Sequence, residues 1–73
     1  MSKYIVIYER SATGWGAYVP DLPGLGVVGD TLEETKQLIR EGIDFHIEGL
    51  RKDGDPVPPP STFIEEVEVK IPA

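Results

Sequence analysis

The chain contains no cysteine and only one histidine, His46, among its 73 residues. A disulfide framework is therefore excluded, and the nitrogen and sulfur ligands of a zinc site are almost absent. Lys and Arg together number 7, against 13 Asp and Glu, for a formal net charge of −6. This balance argues against the clustered basic surface that a nucleic-acid backbone requires. We expect no metal, no cofactor and no direct nucleic-acid binding.

Long hydrophobic runs are also missing from the sequence. No stretch approaches the ~20 apolar residues of a membrane span, and the N-terminus MSKYIVIYER has no signal-peptide core. We therefore expect a cytoplasmic protein. Its length predicts one domain, residues 1–73, whose small core leaves a thin stability margin; oligomerisation commonly compensates for this.

β-branched and aromatic residues cluster in four short segments. KYIVIYE (3–9), WGAYV (15–19) and LGVVG (25–29) are separated by turn residues and predict three strands in an antiparallel meander. TFIEEVEVKI (62–71) follows the stiff, proline-rich DPVPPP and predicts a fourth strand.

A helix is predicted over residues 31–52. Thr31 followed by Glu34 is a capping-box pattern, Arg51 and Lys52 occupy the last turn, and Gly54 is placed for a C-terminal cap. Its apolar positions form one stripe at the helical period. They are Leu32, Ile39, Ile43, Ile47 and Leu50.

These elements predict an α+β fold of order β-β-β-α-β. The helix would cross back over the sheet in a right-handed connection, so that the last strand lies parallel to the first in spatial order 3-2-1-4. One helix covers only one face of such a sheet. The uncovered face would then be a contact surface.

A second apolar stripe lies roughly 120° around the helix from the first. It consists of Leu38, Gly42, Phe45 and Gly49. Either it widens the core-facing surface, or its glycines let another chain approach the helix backbone closely. We expect the contacts on this stripe and on the uncovered sheet face, with Tyr4, Tyr8 and Tyr18 as further anchors of a partner or self interface, most simply in a homodimer.

Catalytic patterns are poorly represented. No serine lies in a nucleophile motif, and the glycines of PGLGVVGDT lack the spacing and the basic residue of a phosphate loop. A magnesium-dependent nuclease would need acids in the middle of neighbouring strands, but strand one has Ile5, Val6 and Ile7 there. His46 is interpreted as a packing residue. We predict no catalytic residues and no enzyme.

The corner YVPDLPGLGVVGDTLEE (18–34) is the most distinctive part of the sequence. VPDLPG, then GDT, then LEE at the helix start resembles the HicB-type antitoxin family of type II toxin–antitoxin pairs, and the resemblance covers nearly the whole chain. The residues that carry it are Pro20, Asp21, Pro23, Gly24, Gly29, Asp30, Thr31 and Glu34. We expect all of them to be architectural, with Asp21 bonding the turn that it begins and either Asp30 or Thr31 as the N-cap of the helix.

The resemblance implies a reduced ribonuclease-H-like sheet without a working nuclease centre, in a prokaryotic protein. It also implies a function: blocking a small, basic, messenger-RNA-cleaving toxin of the HicA type. Many family members carry a C-terminal DNA-binding segment. Because this sequence ends at Ala73, we expect a short form without one. The alternative is a stand-alone homo-oligomeric module of structural or regulatory role with no toxin partner.

Overall fold

The computed structural model describes residues 2–72. Three strands, β1 (Ile7–Arg10), β2 (Trp15–Tyr18) and β3 (Gly26–Gly29), form an antiparallel sheet in the order β1-β2-β3. One helix, α1 (Leu32–Lys52), follows them within this part of the chain. The predicted α+β class and the predicted meander are confirmed.

The strands are shorter than their apolar segments. β1 begins at Ile7 rather than at residue 3, because its ladder with β2 ends at the pair Ile7–Tyr18. β2 does not extend further, since Pro20 has no backbone N–H to donate to a neighbouring strand. Tyr4 and Val6 therefore precede the strand, although both still pack against the core.

The helix ends are capped as the sequence predicted. Thr31 is the N-cap, and its Oγ1 accepts a hydrogen bond of 3.1 Å from the backbone N–H of Glu34. At the other end Gly54 adopts a φ of 74° and donates to the carbonyl of Arg51. This left-handed conformation is the usual glycine ending of a helix.

The core lies between the helix and the two later strands. Ala17, Val19, Leu22 and Ile39 are buried there, and the helix packs on β3 and β2. Thr35 is also fully buried, and its hydroxyl donates to the carbonyl of Thr31 at 2.7 Å. That bond keeps a polar group in the core satisfied.

The predicted fourth strand is wrong. Residues 56–72 contain no strand, and the fold is β-β-β-α rather than β-β-β-α-β with order 3-2-1-4. Phe63 is 83% exposed and Ile71 82% exposed, so this segment does not lie on the chain's own sheet. Its alternation of apolar and charged residues is a pattern typical of strands. Strand formation also needs a neighbouring backbone, however, and none is paired with it here.

The strand register decides which residues face the helix. Tyr8 lies opposite Ala17, and Ala17 lies opposite Val27, so these three share the helix side of the sheet. Tyr4 and Tyr8 pack against the core on that side. The opposite side, called the outer sheet face below, carries Ile7, Tyr18 and Val28.

Candidate partner-binding surface

An apolar depression runs along the C-terminal half of the helix, where the helix meets the start of β3. This depression is called the helix groove below. Its lining residues are Leu25, Gly42, Phe45, His46, Gly49, Leu50 and Asp53. Three of the four residues in the predicted second stripe, Gly42, Phe45 and Gly49, therefore line the helix groove. The fourth, Leu38, is half-buried and lies about one turn before Gly42 in the helix.

The two glycines of the helix groove have different surroundings. A Cβ at Gly42 would lie 3.1 Å from Cδ1 of Leu25 and 3.7 Å from Cγ1 of Val27. A Cβ at Gly49 would have no atom within 4 Å. Gly42 thus lets the helix pack closely on its own chain, whereas Gly49 leaves open space. Gly42 therefore fits the interpretation in which the stripe widens the core-facing surface. Gly49 fits the interpretation in which a glycine leaves room for another chain.

Phe45 is the exposed anchor of the helix groove. Its side chain is 71% exposed although it is a large aromatic residue. His46 beside it is half-buried, in agreement with its interpretation as a packing residue. An exposed phenylalanine beside an open glycine gives a partner both a protruding ring and a recess.

An acidic edge flanks this surface. Glu34, Glu41 and Glu48 are all exposed and recur every seventh position. Seven residues are close to two helical turns, so these carboxylates line one side of the stripe that contains Phe45. Lys52 ends the edge near the last turn. This edge was not predicted from the sequence, although the seven-residue spacing of its glutamates indicates it.

The outer sheet face is a second, flatter candidate. Val28 is 80% exposed and Tyr18 40% exposed, and Gly16 and Gly26 leave a shallow depression between them. Of the three predicted tyrosine anchors, only Tyr18 lies on this face. Tyr4 instead donates its hydroxyl hydrogen to the carbonyl of Pro58, which ties the proline-rich connector to the start of the sheet.

Asp21 of the corner binds a distant part of the chain rather than its own turn, contrary to our expectation. Its Oδ2 accepts the backbone N–H groups of Ser61 at 2.9 Å and of Thr62 at 3.0 Å. Its Oδ1 accepts their hydroxyls at 3.0 and 2.8 Å. The corner therefore anchors the point at which residues 63–71 begin.

These bonds change the acidity of Asp21. The backbone N–H of Thr62, then the hydroxyl of Thr62 and the backbone N–H of Ser61, stabilise the carboxylate and lower the pKa of Asp21 from 3.8 to about 2. Asp21 is therefore ionised throughout the neutral range. No signal in the local sequence links it to residues 40 positions away.

The remaining motif residues shape the corner. Gly24 has a φ of 88°, which most side chains rarely adopt. Gly29 has no such angle; it is required because a Cβ there would lie 2.6 Å from Oγ1 of Thr35. At the start of the corner the chain turns through two backbone hydrogen bonds, in which the N–H of Leu22 donates to the carbonyl of Val19 and the N–H of Leu25 donates to the carbonyl of Leu22, with Leu22 fully buried. The geometry of these residues is structural.

Neither a metal cluster nor a membrane helix is found within residues 2–72. No three His, Asp or Glu side chains of this part converge as metal ligands. Likewise, α1 lacks the apolar length that crossing a bilayer would take.

A family model and one named relative identify a family. Residues 4–71 match the family described as HicB_like antitoxin of bacterial toxin–antitoxin system. "Antitoxin HicB 2" of Photorhabdus laumondii is 35% identical over 75 residues, covering 97% of this chain and 50% of the relative. A UPF0150 protein of Synechocystis is 33% identical over 70 residues, covering 94% of this chain and 89% of the relative. An uncharacterised 14.9 kDa protein of Haemophilus phage HP1 is 37% identical over 70 residues, covering 92% and 53%.

A solved structure agrees as well. One chain of a structure described as a HicA3 and HicB3 toxin–antitoxin complex matches with a TM-score of 0.70 and 30% identity, over 81% of this chain and 70% of that chain. The chain spans about half the length of the Haemophilus phage and Photorhabdus relatives. The match over residues 4–71 nevertheless covers nearly all of it. The chain belongs to the HicB-like antitoxin family of bacterial toxin–antitoxin systems.

Proposed function

We propose that this chain is a non-enzymatic antitoxin that sequesters a small, basic, messenger-RNA-cleaving toxin of the HicA type. The observation that carries the proposal is its similarity, at 30% identity over 81% of its length, to a chain of a toxin–antitoxin complex. Membership of the HicB-like family supports the same role. Because messenger RNA is the toxin's target, the protein would act in the cytoplasm.

The helix groove is the surface that we assign to the toxin. An interface needs an apolar centre that loses its water on binding and a polar rim that fixes orientation. Phe45 and the recess at Gly49 supply the centre. Glu34, Glu41 and Glu48 supply an acidic rim on one side, and the net charge of −6 acts at longer range.

Charge complementarity predicts how the complex should respond to salt. A basic partner is attracted by the acidic rim, and this attraction mainly raises the association rate. Salt screens the attraction, with a Debye screening length of about 8 Å at physiological ionic strength. The association rate should therefore fall as salt is added, while dissociation, governed by the contacts of Phe45, changes less.

The experiment starts with capture of the tagged chain from its native cell lysate and mass spectrometry of the proteins that co-elute. A small, strongly basic protein recovered in near-equal amount is then purified and tested for RNA cleavage with and without this chain. The proposal requires both that it cleaves RNA and that the chain inhibits it. A basic protein without ribonuclease activity would contradict the proposal.

Two single substitutions then separate the two candidate surfaces. Phe45→Ser in the helix groove should weaken toxin binding at least tenfold, since a central aromatic contributes more than about 1.4 kcal/mol at a binding hot spot. Val28→Ser is the matched control, because Val28 is similarly exposed but lies on the outer sheet face. The reverse ranking would move the toxin site to that face.

The second candidate function is a stand-alone homo-oligomeric module. The exposed apolar side chains of residues 63–71 favour it, since they are unpaired in one chain. Recovery of this chain alone, repeated at low salt, would support this alternative and contradict the toxin proposal.

A further inference from the structure

Residues 63–71 form an apolar segment without a place in their own chain. Phe63 and Ile71 are more than four-fifths exposed, and Val67 and Val69 are each 69% exposed. The segment also stretches the molecule. The radius of gyration is 14.9 Å, whereas a compact chain of this length has about 11 Å.

The outer edge of β1 is a free sheet edge with which a further strand could pair. Within residues 2–72, β1 pairs only with β2, so the N–H and C=O groups on its other edge have no backbone partner. The helix packs over β3 and β2 but not over β1. Tyr4, Val6 and Tyr8 on the helix side are consequently only half-buried. An open edge beside an incompletely covered apolar face invites another strand.

We propose that two copies of this chain exchange residues 63–71, and that each segment pairs with the free edge of β1 in the other copy. Alternation places Phe63, Val67, Val69 and Ile71 on one side of the segment, with Glu65 as the one charged residue among them. In the exchanged position the four apolar side chains would lie next to Tyr4, Val6 and Tyr8 and be buried beside the helix. The opposite side carries Ile64 and the charged residues Glu66, Glu68 and Lys70, and these three charged residues stay in water.

The contacts of Asp21 favour exchange between copies. They fix Ser61 and Thr62 to their own chain, so that the segment leaves the body at a defined point with its apolar residues exposed. A second copy removes this exposure without breaking the anchor. In a dimer with a two-fold axis, each segment pairs with the free β1 edge of the other copy, so that neither edge and neither segment is left unpaired.

The segment is a better match to a second copy than to another protein. Its apolar residues alternate with charged ones from Val67 to Ile71, which suits pairing at a sheet edge over an apolar face. The chain itself carries such an edge, and its small core benefits from the added burial. This inference does not rest on the proposed toxin, because it concerns the free protein and a surface away from the helix groove.

Cross-linking in the natural cysteine-free background tests the exchange directly. One tagged copy carries Glu9→Cys on the outer side of β1, and an untagged copy carries Glu68→Cys on the same side of the segment. The two are refolded together and treated with a bis-maleimide. We expect tagged–untagged pairs at more than ten times the yield obtained when either variant is mixed with the unaltered chain.

A chain with both Glu9→Cys and Glu68→Cys provides the opposing measurement. In dilute solution, exchange predicts a species of twice the 8.0 kDa chain mass. A cross-link confined to single chains would show that the segment pairs within its own chain, and no cross-link in either sample would show that it does not pair with β1. Either result overturns the proposal.

Sedimentation gives an independent readout. The unaltered protein should sediment at twice the mass of one chain, whereas Val67→Asp with Val69→Asp should give a single chain with the same helical circular-dichroism signal. Glu66→Gln with Glu68→Gln is the matched control on the water side and should keep the doubled mass. A single-chain mass for the unaltered protein at micromolar concentration, or a doubled mass for the valine variant, contradicts the exchange.

Discussion

Substitution of Gly49 gives the sharpest test of the helix groove, because the added side chain would enter the open space beside the helix. Glycine in a helix interior is less favourable than alanine by about 1 kcal/mol. A Cβ at Gly49 would touch nothing within 4 Å. Gly49→Ala should therefore raise the free energy of unfolding by about 1 kcal/mol. For a domain of this size that corresponds to about 4–8 °C in melting temperature.

Gly42→Ala is the matched control in the same helix. It has the same propensity gain, but its Cβ would lie 3.1 Å from Cδ1 of Leu25, tighter than ordinary van der Waals contact. Leu25 is half-buried and can move slightly, so the gain should be smaller than for Gly49→Ala. Gly29→Ala should have the opposite sign, because its Cβ would lie 2.6 Å from the buried Thr35 hydroxyl.

The assay is urea unfolding of the free protein, followed by helical circular dichroism at several protein concentrations. Stability should rank Gly49→Ala first, then Gly42→Ala, with Gly29→Ala below the unaltered chain. If Gly49→Ala were no more stable than the unaltered chain, the space beside Gly49 would be occupied in the free protein. The helix groove could then not be an open toxin site.

Three further substitutions test the fold and the corner. Ile39→Ala removes the most buried apolar side chain of the helix and should lower the unfolding free energy by about 2–5 kcal/mol in the same assay. Thr31→Ala removes the N-cap bond to Glu34 and should cost about 1 kcal/mol, with Thr31→Ser as a control that keeps the acceptor. Asp21 has a folded pKa of about 2, below the ordinary aspartate pKa of 3.8, so its contribution to stability is complete above pH 4 and is lost as pH falls through about 2. Asp21→Asn should thus melt below the unaltered protein at pH 6 and closer to it at pH 2; a constant difference would show that ionised Asp21 is not the anchor.

Local patterns in the sequence were sufficient for the helix and the meander. Thr31, Glu34 and Gly54 mark the helix ends through contacts within a few residues, and these contacts are found. The alternation in residues 62–71 was equally clear, but it describes only the segment's own two sides. Whether a strand forms depends on which backbone lies beside it, which no local pattern contains.

The candidate site likewise combines features that local sequence patterns predict with features that depend on distant parts of the chain. The stripe with Phe45 follows from helical spacing alone and was predicted. The sequence did not predict which face of the sheet the helix covers. Tyr4 and Tyr8 were therefore expected on the uncovered face, but they pack against the core. The bond between Asp21 and Thr62 was also unforeseeable, because it joins residues 41 positions apart.

Inhibition of the proposed toxin ribonuclease tests the central claim most directly. The captured basic protein is assayed for messenger-RNA cleavage while this chain is titrated in, with Phe45→Ser and Val28→Ser titrated in parallel. Our account predicts that cleavage stops near one equivalent of the unaltered chain or of Val28→Ser, and that Phe45→Ser requires at least tenfold more. Undiminished cleavage at a large excess of the unaltered chain would contradict the antitoxin role.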